Sequence, residues 1–223
     1  MAVKRSIAFL VISLLALSGR ADLTPLKSVA AAKRLNDDAC LTPRTFDFSG
    51  KVLSNGKRYW FFRDATGGIE IHNRRPETFG FARGSVVRVR GHMTVEKNGV
   101  RKFLAESTEI LESGRLEAPA ETSVADILDG SMDFRLVRVR GVISAVVSDE
   151  VDDTFCWATL RTSAGSVFLT FCDKWNDLEA LGPAIDAEVV VTGLAAPTTG
   201  LRRNLGHRVS VSNSDTIEPK NGS

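Results

Sequence analysis

The chain of 223 residues has little of several things that would point to a particular chemistry. It has three cysteines and three histidines, with no Cys-x-x-Cys and no His cluster, so a structural metal site is not expected. No serine sits in a nucleophile-elbow context, and no glycine-rich loop opens a helix as a phosphate cradle. His72, His92 and His207 stand alone in the sequence. These absences favour a non-enzymatic protein with no cofactor and no metal. An excess of charge of either sign is also missing, with 29 Lys+Arg against 27 Asp+Glu. Long apolar runs are missing after residue 17, so no segment of the later chain is expected to span a membrane.

The one apolar run, Ile7 to Leu17, follows Lys4 and Arg5 and leads into Ser18-Gly19 and Ala21. A basic start, a short apolar stretch and small residues form the pattern of a secretory signal cut after Ala21. Eleven residues at ~1.5 Å each cover about half of a ~30 Å hydrocarbon layer, too little for a span. The expected location is therefore exported, periplasmic or secreted. Lys4, Arg5 and Arg20 leave with the signal and no acid does, so 26 basic residues face 27 acidic ones in the mature chain. That balance does not favour a nucleic-acid partner.

What is present is a repeat. Phe46–Leu53 resembles Leu136–Ser144, with Gly50 matching Gly141, and Ser85–Gly91 resembles Ala187–Gly193, with Gly91 matching Gly193. Ser28-Val29 and Ser123-Val124 each open a short helical lead-in. Inside each repeat the apolar period is two, which predicts strands near 45–54, 58–63, 69–73, 85–94 and 102–111, then 134–147, 154–162, 166–172, 186–194 and 206–217. Lys174–Leu181 reads as a short helix before Gly182-Pro183. Five strands with a non-extended interval between the third and fourth is the order of an OB-fold barrel. The expected class is all-β, with two tandem OB-like five-stranded barrels, each preceded by a short helix. The division is a signal over 1–21, a lead-in over 22–44, barrels over 45–112 and 134–218, a linker with a short helix over 113–133, and a tail over 219–223. One ten-stranded β-sandwich is the competing architecture.

The stretch Arg63-Asp64-Ala65-Thr66-Gly67-Gly68-Ile69, with Arg83–Val87, Arg138–Val142 and Arg202-Arg203-Asn204, resembles a family of exported bacterial tandem OB-like regions. Such regions form the extracytoplasmic input portion of sensor histidine kinases and related signalling proteins. The resemblance covers about Leu23 to Pro219, and after Pro219 only Lys-Asn-Gly-Ser follows, without a membrane helix or kinase. It implies a sensor-like binding or signal-input module, either a stand-alone relative or an input region whose signalling partner acts in trans.

Pairing the second and third strands of the first repeat about Thr66 sets Phe61 opposite Ile71, Phe62 opposite Glu70 and Trp60 opposite His72. Tyr59, Phe61, Ile69 and Ile71 then face the interior, while Trp60, Phe62, Glu70 and His72 face outward with Arg74 and Arg75 just beyond. Trp60, Phe62, His72 and Arg74 are the expected ligand-binding set, on the face OB-folds use for oligonucleotides and oligosaccharides. The alternative is that Trp60 and Phe62 pack against the lead-in helix or the other barrel. The surface around Ala158, Leu160 and Phe168 is the corresponding region of the second repeat. Expected ligands are a small molecule, an oligosaccharide or a protein, with single-stranded nucleic acid less favoured; an envelope assembly role is a further alternative. Arg88, Arg90 and His92 read as a solvated strand face. Pairing about Ala164 sets Cys156 opposite Cys172, which predicts a disulfide unless the turn shifts by one residue, and Cys40 is left over. The acidic run Asp149–Asp153 reads as a solvated turn, and Asn221-Gly222-Ser223 as a glycosylation sequon of little weight.

Overall fold

The computed structural model describes residues 24–35, 44–54, 56, 58–74, 80–96, 100–148, 155–172, 185–200, 203–212 and 216–219. The signal segment, Cys40, Arg75, the acidic run 149–153, the helix expected over 174–181, Arg202 and the terminal sequon lie outside the described residues, as does the side chain of Cys172.

Two barrels form, with the same strand order. In the first, β1 (Arg44–Val52), β2 (Tyr59–Asp64), β3 (Gly67–Asn73), β4 (Val86–Val95) and β5 (Arg101–Glu112) close in the order β1-β2-β3-β5-β4. A short β6 (Ala120–Glu121) lies parallel to the next barrel's first strand. The second barrel has β7 (Arg135–Ser148), β8 (Phe155–Thr162), β9 (Gly165–Cys172), β10 (Glu188–Gly200) and β11 (Arg203–Val211), ordered β7-β8-β9-β11-β10 and closed by β10 pairing back onto β7. A last strand, β12 (Ile217–Pro219), pairs with β10. Closure of both sheets rules out the single sandwich.

Each barrel rests on a one-turn helix started by a serine cap. In α1 (Val29–Lys33), Ser28 accepts from the Ala31 amide, and Val29 and Ala32 are buried. In α2 (Val124–Leu128), Ser123 and Asp126 form a capping box, and Val124 and Ile127 enter the second core. Helices this short have little stability alone, so burial of these two apolar positions holds each in place.

The hairpins correct the expected register. Asp64 pairs with Gly67 and Thr162 with Gly165, so each turn contains two residues rather than three. The turn chemistry explains it: Asp64 Oδ1 accepts from the Thr66 amide at 2.7 Å, the Thr66 hydroxyl and the Gly67 amide at 3.0 Å. Thr162 Oγ1 likewise accepts from the Ala164 amide at 3.1 Å, and Gly67 and Gly165 supply φ of 155° and 132°. With a period of two, a shift of one residue exchanges the faces. Trp60 pairs with Ile71 and Phe62 with Ile69, and all four lie in the first core with Phe46, Phe48 and Val89.

The same shift removes the predicted disulfide geometry. Cys156 lies opposite Phe171, while Cys172 lies opposite Phe155. Cys156 is a free, buried thiol, and burial raises its pKa to about 11.

Candidate recognition face

The four residues expected to bind a ligand do not form one surface. Trp60 and Phe62 are wholly buried inside the first barrel, where the Trp60 indole donates to Asn73 Oδ1 at 2.9 Å. His72 lies outside the barrel, half-buried and paired to Glu70 at 3.0 Å, and Arg74 is exposed on the bend after β3. Trp60 and Phe62 therefore present no surface to a ligand.

Their neighbours Tyr59 and Phe61 point outward in their place, into the contact between barrels. Phe61 packs with Leu53, Phe134, Leu194 and Ala196, and Tyr59 and Leu116 complete the cluster. Phe134 is the wedge. Its backbone has φ of 58°, a left-handed conformation uncommon for a bulky residue. Its amide donates to Ala195 O at 2.7 Å, and its own carbonyl accepts from Arg63 at 3.3 Å. Its ring fills the space beside Gly68, where any Cβ would overlap it. The Lys33 ammonium sits 5.0 Å from the same ring centroid.

A polar clasp borders the wedge. Arg208 donates to Glu70 at 3.2 Å and lies 5.9 Å from the Phe61 ring centroid. Burial alone would raise the pKa of Glu70, but the His72 hydrogen bond and the charges of Arg208, His72 and Lys102 outweigh it and hold the carboxyl below its usual range. Arg83 spans the seam as well, donating to Leu53 O at 2.9 Å and to the Ser212 hydroxyl at 3.1 Å.

Three ladders fix which residues of the second barrel correspond to this covered face. Gly50 pairs with Val87 as Gly141 pairs with Val189, Val52 with Phe62 as Ile143 with Leu160, and Ile71 with Phe103 as Leu169 with Val209. By that alignment Tyr59 corresponds to Trp157, Phe61 to Thr159, Gly68 to Ser166, Glu70 to Phe168 and His72 to Thr170. Ala158 and Leu160 point into the second core. Trp157, Thr159, Arg161, Ser166, Phe168 and Thr170 form the outward side of β8 and β9, and Val147 lies beside Trp157 on β7. This face is open: Trp157 is 37% exposed, Val147 43% and Phe168 56%. Of the residues that the sequence pattern points to as binding surface, only Phe168 belongs to it. Trp157 escapes that pattern because a two-residue turn is needed to place it outside.

Several other polar groups among the described residues are held in ion pairs. Asp47 binds Arg88 at 2.7 Å and Lys27 at 2.9 Å, and the Arg88 hydrogen bond holds its carboxyl far below the usual range despite partial desolvation. Arg90 lies 3.7 Å from the same carboxylate, and His92 contacts Glu106 at 2.9 Å, so the strand face of Arg88, Arg90 and His92 carries its own acidic partners. His207 is held by Asp133 at 2.8 Å. A cleft of about 80 Å³ under the linker is lined by Lys51, Arg63, Glu117 and Phe134, and Glu117 bridges the two cations. That volume is well below the roughly 300–1,000 Å³ of small-molecule sites. Among the described residues no group of three His, Cys, Asp or Glu could hold a metal, and no helix is long and apolar enough to cross a membrane.

No family model matches the chain, and no curated protein matches it. Among solved structures it is similar to the OB domain of Ta0387 from Thermoplasma acidophilum, at 17% identity over 46% of this chain and 89% of that one, with a TM-score of 0.32. The p204 HINb domain matches at 8% identity over 80% of this chain and 97% of that one, with a TM-score of 0.36. A putative aspartyl-tRNA synthetase from Leishmania major Friedlin matches at 12% identity over 50% of this chain, with a TM-score of 0.32, and the chain spans only 22% of its length. Likenesses this distant leave the functional reading to rest on the chain's own geometry.

Proposed function

We propose that this chain is an exported, non-enzymatic recognition module of the signal-input kind, which binds its ligand on the outward face of β8 and β9. One observation carries the reading: of two corresponding hairpin faces, the first is covered by the neighbouring barrel and the second leaves Trp157 and Phe168 in water. Large exposed apolar groups grouped together mark interaction sites more often than isolated ones do. The strand two–three face is also where OB-folds take ligands. Export is supported by the Lys4-Arg5 start, the Ile7–Leu17 run and Ala21. A signal-input role is supported by the resemblance of the Asp64–Ile69 hairpin and its companion segments to extracytoplasmic input regions. In that role the bound state would be relayed to a separate partner, with the wedge and clasp carrying the two barrels as one body.

Expression of the full-length chain in a bacterial host tests export: a mature N-terminus at Asp22 in the extracytoplasmic fraction is expected, and an intact chain retained in the cytosol would contradict it. Amide hydrogen exchange tests the site. A bound ligand should slow exchange in β8 and β9, whereas slowing confined to β2 and β3 would move the site away from this face.

A further inference from the structure

We infer that the ligand of the β8–β9 face is a neutral oligosaccharide; the inference rests on the recognition reading above and adds the class of ligand. The face has two rings, three hydroxyls and one cation. Trp157 and Phe168 supply flat apolar surface, while Thr159, Ser166 and Thr170 stand beside them on the same outward side, Thr170 with its hydroxyl turned in. Arg161 is the one cation in that outward set, and the set holds no carboxylate. A chain of phosphates needs repeated cations along its track, and its affinity comes largely from them. Arg208, next to Phe168 on β11, gives one terminal nitrogen to Glu70 across the seam and has its Nε buried without a partner; with 14% of its side chain exposed it presents little to a polyanion. A pyranose ring has the complementary chemistry: an apolar C–H face to lie on an aromatic ring and equatorial hydroxyls to exchange hydrogen bonds at its edge.

Two further observations narrow the occupant. Thr170 Oγ1, directly across from Trp157, is buried without a hydrogen-bond partner, an uncommon state that costs stability until a partner arrives. A turn of the Thr170 side chain about χ1 would bring the hydroxyl out between the rings, where a ligand hydroxyl supplies that partner. A second copy docking as barrel two docks on barrel one is disfavoured by the sequence of the face itself. The Phe134 wedge needs glycine at position 68, where the second hairpin has Ser166, and the first barrel would offer His92 and Thr94 where the second offers Leu194 and Ala196.

The test titrates the full mature chain with cellohexaose, chitohexaose and oligothymidylate, each at low and high salt, by calorimetry and tryptophan fluorescence. Expected is binding of at least one of the two hexasaccharides with little salt dependence. Trp157→Ala or Phe168→Ala should weaken it roughly tenfold or more, the size of one lost ring contact. Thr170→Val should weaken it without lowering the melting temperature, a readout that separates ligand contact from folding. Oligothymidylate binding that falls steeply with salt and is lost in Trp157→Ala would overturn the saccharide class and leave the recognition face standing. Saccharide binding unchanged in all three variants would overturn the site. Failure of every probe to bind, or a concentration-dependent dimer abolished by Phe168→Ala, would overturn the saccharide inference as well.

Discussion

The β2–β3 and β8–β9 hairpins share strand order, turn length and position in their barrels, yet their outward sides have opposite fates. The first carries Tyr59, Phe61, Gly68, Glu70 and His72, and Phe134, Leu194 and Arg208 of the second barrel close over it. The second carries Trp157, Thr159, Ser166, Phe168 and Thr170, and no described element covers it. Three exchanges account for the difference. Glycine gives way to serine where the wedge would enter, a carboxylate gives way to phenylalanine where the clasp would close, and a second ring gives way to a threonine. One copy of a duplicated face has thus become a joint between barrels, and the other has kept ring surface in water without the features a barrel needs to dock.

The largest expected effect separates the two tryptophans. Trp60→Ala removes the largest wholly buried side chain of the first core and should cost ~3–5 kcal/mol of unfolding free energy in denaturant titration. Trp157→Ala should stay within ~1 kcal/mol of the parent, since its ring is partly solvated already. Equal costs would break the comparison between buried and open rings. Next comes the wedge. Gly68→Val should push Phe134 out of its seat and destabilise by ~1–3 kcal/mol, while Ser166→Val should be near neutral. Calorimetry on both variants checks this, and a tolerated Gly68→Val would mean that the seam is loose.

The clasp should appear in the pH dependence. Glu70 is held below its usual pKa in the folded state, so its contribution to stability is complete above the unfolded value of about 4.3 and is lost as pH falls through the lower folded value. Glu70→Gln should therefore cost about 1–3 kcal/mol at neutral pH and flatten the acid limb of the stability curve. An acid limb identical to the parent's would remove the clasp from the account. The smallest effect concerns Cys156, a buried thiol with its pKa raised to about 11. It should react with a thiol reagent only after unfolding, and rapid labelling of the native chain at neutral pH would contradict its place in the second core.

Much of the fold was legible because repetition and period two are both sequence properties. The paired glycines, Gly50 with Gly141 and Gly91 with Gly193, located the two barrels, and Ser28 and Ser123 marked the helices beneath them. The site was less legible, and one feature explains most of that. Asp64 and Thr162 close their turns by side-chain hydrogen bonds around two residues, whereas the glycines that follow suggested a wider turn centred on Thr66 or Ala164. That single residue is the difference between Trp60 and Phe62 facing out or in, between Cys156 opposite Cys172 or opposite Phe171, and between Trp157 buried or exposed. Phe134 was silent for a different reason: neither periodicity nor propensity marks a residue whose importance comes from a left-handed backbone and a glycine elsewhere in the chain.

Hydroxyl-radical footprinting of the native chain, read residue by residue by mass spectrometry, tests the contrast between the two faces most directly. Trp157 and Phe168 should be oxidised readily while Trp60, Phe61 and Phe62 are protected. Oxidation of Trp60 and Phe62 with protection of Trp157 and Phe168 would contradict the account at its centre.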